Sequence, residues 1–174
     1  ELAGGKTADA TAITSISGVM SDVEAVIEHK ITAADTSLAA DVAISFDATT
    51  DASVAAVNKA LAVTTGEVTG TISGAAATLA SLTSEEASSA TNTLTISVTD
   101  AEAAPVSASD LKAVGLATSG TATVANKVAI SGNIADVTAA LVTSGSKVVL
   151  GTVDTPVTVS GAVTAKEGAD IAGV

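Results

Sequence analysis

The sequence predicts an α/β repeat, a short solenoid of strand–turn–short-helix steps of about 28 residues each, paired into units of about 57. Three observations carry this expectation. The tripeptide Ile-Ser-Gly occurs at Ile16, Ile72 and Ile130, at spacings of 56 and 58 residues. An apolar-Ser pair starts at Ile16, Ile44, Ile72, Ile96, Ile130 and Val159. The apolar mass, 47% of the chain, is Ala, Val, Ile and Leu, with no Trp, Tyr or Cys, one Phe (Phe46) and one Met (Met20). A core without large rings is thin and finely divided, as in units that pack only on their neighbours. The chain reads as one module, 1–174, with units 13–68, 69–126 and 127–174, the last incomplete.

In the first step a strand at Ile16 leads into a helix. Seven residues after each Ile-Ser-Gly isoleucine stands Val23, Leu79 or Val137, and ten after it Val26, Leu82 or Ala140. That offset of three marks one helix face. Ser21 and Glu24 have the spacing of a capping box for this helix. In the second step a strand at Ile44 precedes a helix carrying Val54, Val57 and Leu61, with Thr50 or Asp51 as its cap. The third step has the β-branched run Gly70–Gly74 and a short Ala-rich helix, after which the polar stretch Ser84–Asn92 breaks the pattern. The fourth has the run Leu94–Val98 and a helix capped by Ser107 with Asp110. Lys127–Ser131 and Pro156–Ser160 supply the strands of the fifth and sixth steps, and Ala165–Val174 fills the last helix slot. Gly66, Gly115 and Gly120 lie near helix exits, where positive φ is expected.

Strands separated by helices at a fixed period are parallel, because parallel strands need a crossover. Repeated crossovers of one hand give a solenoid or a sheet with helices against it. The alternative is a set of all-β sandwich repeats; the capping signals favour integral helices. The expected core is Ile16, Val23, Ile44, Val57, Ile72, Leu79, Ile96, Leu111, Ile130 and Val137.

Composition excludes several functions. The net charge is −12 and the isoelectric point about 4.1, so phosphate backbones repel the chain and nucleic-acid binding is not expected. No basic patch suits anionic lipid. Mean hydropathy is positive, +0.55, yet Thr, Ser, Gly and Asp interrupt every apolar run short of the roughly 20 residues of a spanning helix. No membrane insertion is expected.

Chemistry-bearing constellations are missing. His29, the single histidine, follows Glu28 at a helix end and reads as a surface residue. The seven lysines, Lys6, Lys30, Lys59, Lys112, Lys127, Lys147 and Lys166, fall about once per step, and there is no Arg to clamp a carboxylate or phosphate. Ile-Ser-Gly is a strand-to-helix turn rather than a nucleophile elbow. No enzyme activity, catalytic residue, metal ligand or cofactor is therefore expected. Calcium is the one cofactor to weigh, because Asp47 and Asp51 flank one turn and Asp100 and Glu102 another. Without an EF-hand loop or glycine-rich nonapeptides, these read as solvated turns or helix caps. The pairs Thr69/Thr71, Thr93/Thr95 and Thr121/Thr123 have the T-x-T form of a water-ordering, ice-binding β-face. They do not recur at one place in every step, so they read as ordinary exposed strand residues.

The stretch Thr121–Gly145 resembles units of very long Ala/Thr/Val-rich repetitive bacterial secreted and cell-surface proteins, of the kind found in cyanobacteria. The resemblance runs from Ile13 to Gly161 and supplies no catalytic residues. It implies an extracellular structural protein: part of a surface layer, fibre, filament or adhesin stalk. Such a protein associates with copies of itself or with adjacent repeats of a longer chain. The alternative is an adhesive module recognising a surface ligand or glycan, with calcium support. Starting at Glu1, the chain is expected to have lost a leader or to be a piece of a larger secreted chain.

Overall fold

A computed structural model describes residues 13–32, 38–49, 51–151 and 154–174, with backbone alone for 30–32. The chain is α/β, and every strand pairing among these residues is parallel. In chain order the elements begin with β1 (Ser15–Gly18), α1 (Met20–Thr32), β2 (Ala43–Phe46), α2 (Val54–Val63), β3 (Glu67–Gly74), α3 (Ala76–Leu79), a 3-10 turn at Glu85–Ala87 and β4 (Thr91–Val98). They continue with β5 (Pro105–Ser107), α4 (Ala108–Leu116), β6 (Ala122–Val124), β7 (Ala129–Asn133), α5 (Ile134–Val137) with a π-helical turn at Thr138–Val142, β8 (Val148–Leu150), β9 (Val157–Ser160) and α6 (Ala165–Ala172). Six strands form one sheet, ordered β1-β2-β3-β4-β6-β8, and three form a second, ordered β5-β7-β9. Helices supply the crossovers that parallel strands require. The antiparallel sandwich alternative does not describe this chain.

The Ile-Ser pattern holds in part. Ile16 stands opposite Ile44, and Ile72 opposite Ile96. Ile44 pairs with Val68 rather than Ile72, because β3 starts early, at Glu67. Ile130 is not in the first sheet; it lies in the second, opposite Val106 and Val157. From β4 onward the chain leaves the first sheet, turns a corner, adds a strand to the second sheet and then enters a helix. Of the three-residue strands, β6 carries the strand signal of Thr121/Thr123, while β5 and β8 were not anticipated. Pro105, which has no N–H, starts β5 at the edge of its sheet, where proline is tolerated. The polar stretch after Ser84 resolves into the 3-10 turn and the start of β4, which pairs with β3 over eight positions.

Alternation explains the packing. Along β4, Asn92, Leu94, Ile96 and Val98 are buried while Thr91, Thr93 and Thr95 are exposed. The inward residues meet the helices' apolar faces in one core, which holds every expected core residue except Ile16, half-buried against it. On α1 the buried partner of Val23 is Ile27, at i+4, and Val26 faces out.

Two of the three expected helix caps are not used. α1 starts at Met20, so Ser21 lies inside its first turn, 3.4 Å from the Asp22 carboxylate. α2 is capped by Ser53, whose hydroxyl accepts from the Ala56 N–H at 3.1 Å. Asp51 instead accepts from the Ser73 hydroxyl, and Thr50 lies outside the described residues. Ser107 does cap α4, accepting from the Ser109 N–H at 3.2 Å.

The expected positive φ is absent at Gly66, Gly115 and Gly120. At Gly66 and Gly120 a Cβ would overlap the carbonyl oxygens of Asp41 and Leu94. These glycines permit close backbone approach instead. Two residues before each, a buried threonine bonds backbone carbonyls of the preceding step. Thr64 donates to the carbonyls flanking Asp41, those of Ala40 and Val42, and Thr118 to those of Asn92 and Leu94. Each threonine oxygen also accepts the following glycine N–H, at 2.9 Å. One T-x-G device thus recurs in two alternate steps, before β3 and before β6. Gly115 sits within α4, against Val148.

Candidate functional site

Several charged residues form helix caps and ion pairs on or between helices. Lys59 on α2 reaches Glu28 on α1 at 3.0 Å, and Lys112 on α4 reaches Asp136 on α5 at 3.0 Å. Lys166 and Asp170 pair within α6. The Lys112 and Asn133 side chains hold the Asp136 carboxyl below the usual range. Glu28 raises the Lys59 pKa. All three pairs are partly solvated, so each adds little stability. His29 is exposed in the last turn of α1.

The four carboxylates weighed for calcium are dispersed among separate tasks. Asp47 accepts from the Thr49 N–H at 2.9 Å in its own turn, and Asp51 binds Ser73. The Asp100 carboxylate accepts from the Ala76 N–H at 2.7 Å. It thereby caps α3, whose own N-cap, Ala75, has no side chain able to do so. Glu102 lies in the exposed turn beside Ala103, which adopts a φ of 60°. Among the described residues no group of three or more His, Cys, Asp or Glu converges as a metal site. No helix among them is long and apolar enough to cross a membrane.

What the structure does offer is surface at the two ends of the sheets. Among the described residues, β1 at one end and β8 and β9 at the other are each paired along one edge only. Ile13 and Val26 are exposed at the β1 end, and Val149, Val163 and Val174 at the other. An open groove of about 430 Å³ lies at the β9 end, lined by Leu150, Val157, Val159, Val163 and Ile171 among others. Over it α6 carries a capping box that the sequence reading missed: Thr164 accepts from the Glu167 N–H at 3.3 Å while Glu167 accepts from the Thr164 N–H at 2.8 Å. The signal was present as T-x-x-E. The bonds from Thr164, side chain first and then backbone, hold the Glu167 carboxyl below its ordinary value.

A buried polar residue also escaped the sequence. Asn92 occupies an inward position of β4, where its amide nitrogen donates to the Ala117 carbonyl and its amide oxygen has no partner among the described residues.

Compared with known proteins, the chain matches no family model, no curated protein and no solved structure.

Proposed function

We propose that this chain is a structural, non-catalytic repeat module of the bacterial exterior, a solenoid whose ends associate with like units. The observation that carries the proposal is the order of the pairing. In the first sheet partners lie from 24 to 28 residues apart, as in Ile44↔Val68 and Ser15↔Ala43, and the second sheet keeps similar offsets. Such a stack presents edges of matching polarity at its two ends. A head-to-tail contact between them does not close, and so produces a fibre or an array. The aliphatic side chains in the groove at the β9 end, which Asp154 and Thr155 also line, and the exposed Ile13 and Val26 at the β1 end give that contact surface to bury. The net charge of −12 opposes indiscriminate association and keeps the flanks soluble. The exterior location rests on the resemblance to repetitive surface proteins.

Sedimentation velocity across protein concentration, at pH 7 and near the isoelectric point of about 4.1, tests the association. Assemblies should grow with concentration and form more readily at the lower pH, where self-repulsion is relieved. A protein that stays monomeric throughout overturns it.

A further inference from the structure

The T-x-T pairs come together on the outer face of the first sheet in a way their sequence positions conceal. Thr69 stands opposite Thr93, and the rank continues through Ser45 to Ser17. Thr71 stands opposite Thr95, and Thr121 follows beside them, since Ala122 is the partner of Ile96. Ser73, Ser97 and Thr123 make the third rank. The third T-x-T pair is displaced by one rank relative to the other two, so the array is continuous even though the motif spacing is not.

Parallel strands set the mesh of this array: about 4.8 Å between ranks' neighbours and about 6.6 Å along a strand. Hydrogen bonds fix parts of it. The Thr69 hydroxyl donates to that of Ser45 at 2.9 Å, and the hydroxyls of Thr93 and Ser119 lie 3.5 Å apart. The ranks themselves carry hydroxyls and no charge, although the chain carries a net charge of −12. The charge bonded into the array is the Asp51 carboxylate, which accepts from Ser73 in the third rank. A sugar would find no aromatic ring to stack on. A lattice of hydrogen-bonding groups is what the first two ranks complement. At its centre the Thr71 hydroxyl oxygen is shielded from solvent, so the water-facing groups of that rank are those of the exposed Thr95 and Thr121.

We propose that this face binds ice, its hydroxyls holding water on a mesh comparable to that of a prism face while the threonine methyls fill the gaps between. The proposal does not depend on end-to-end association. Nanolitre osmometry on the full chain tests it, with Thr95→Arg and Thr121→Arg on the face and Ala25→Arg on the exposed side of α1. The wild type and Ala25→Arg should separate the freezing from the melting temperature and facet growing crystals. Both threonine variants should lose most of that gap while keeping the wild-type circular dichroism spectrum. If either variant unfolds, binding of the labelled wild type to selected planes of a single ice crystal gives the same answer. A wild type that leaves freezing and crystal habit as serum albumin does overturns the proposal, as do folded threonine variants that retain the full gap.

Discussion

The middle of the molecule and its ends are built from the same residue types but held to different standards. β3 and β4 pair over eight positions, and Leu94, Ile96 and Val98 are fully buried. β1 pairs over four positions and β8 over three, Ile16 is only half-buried, and α6 buries no residue completely. The difference is one of neighbours rather than composition. A strand flanked on both sides excludes water from its side chains, whereas a strand with one neighbour leaves aliphatic surface half-covered. The ends are therefore where association has most to gain.

The largest test of this contrast is a pair of truncations. Ile96→Ala should cost about 2–5 kcal/mol in urea denaturation, and Ile16→Ala about 1 kcal/mol or less, because little of its contact surface is dry. Equal losses would break the comparison. Next come the glycines. Gly120→Ala forces a Cβ against the Leu94 carbonyl and should cost about 1–3 kcal/mol. Gly161→Ala near the end meets only open space at a φ of +97° and should cost about 1 kcal/mol. Thr118→Val removes the hydroxyl donor to the Leu94 carbonyl and the acceptor of the Gly120 N–H and should cost about 1–2 kcal/mol. Thr143→Val, at an exposed position, should change the midpoint by under about 0.5 kcal/mol.

The smallest expected effect is one of pH. The Glu167 carboxyl is held below its ordinary value by Thr164. Its contribution to α6 is therefore present above the unfolded carboxyl pKa and lost as pH falls through the folded one. Wild type and Glu167→Ala should differ in thermal midpoint at pH 7 and converge in strong acid. A difference that persists there would show that α6 is held by packing instead.

The strand-opening pairs were the most legible feature, both at one end of the first sheet and at its centre. Isoleucine-serine pairs announced the Ile16/Ile44 and Ile72/Ile96 contacts because a buried face and an exposed face alternate there without interruption. The T-x-G locks were hidden, since Thr64 and Thr118 act on carbonyls more than twenty residues away, and a hydroxyl near a glycine reads locally as a turn. The cap of α3 was hidden for the same reason: its acceptor, Asp100, belongs to the next step. β5 and β8, at three residues each, were too short to register as strands. The candidate surfaces were the least legible. Hydroxyl ranks and open edges are properties of register, and register shifts where β3 starts early.

Fibre diffraction from the concentrated protein near its isoelectric point tests the proposed stacking most directly. If parallel pairing continues from one copy to the next, strands lie across the fibre and a reflection at about 4.8 Å runs along its axis. Fibres whose strand spacing lies across the axis, or a solution that yields no ordered assembly, would contradict it.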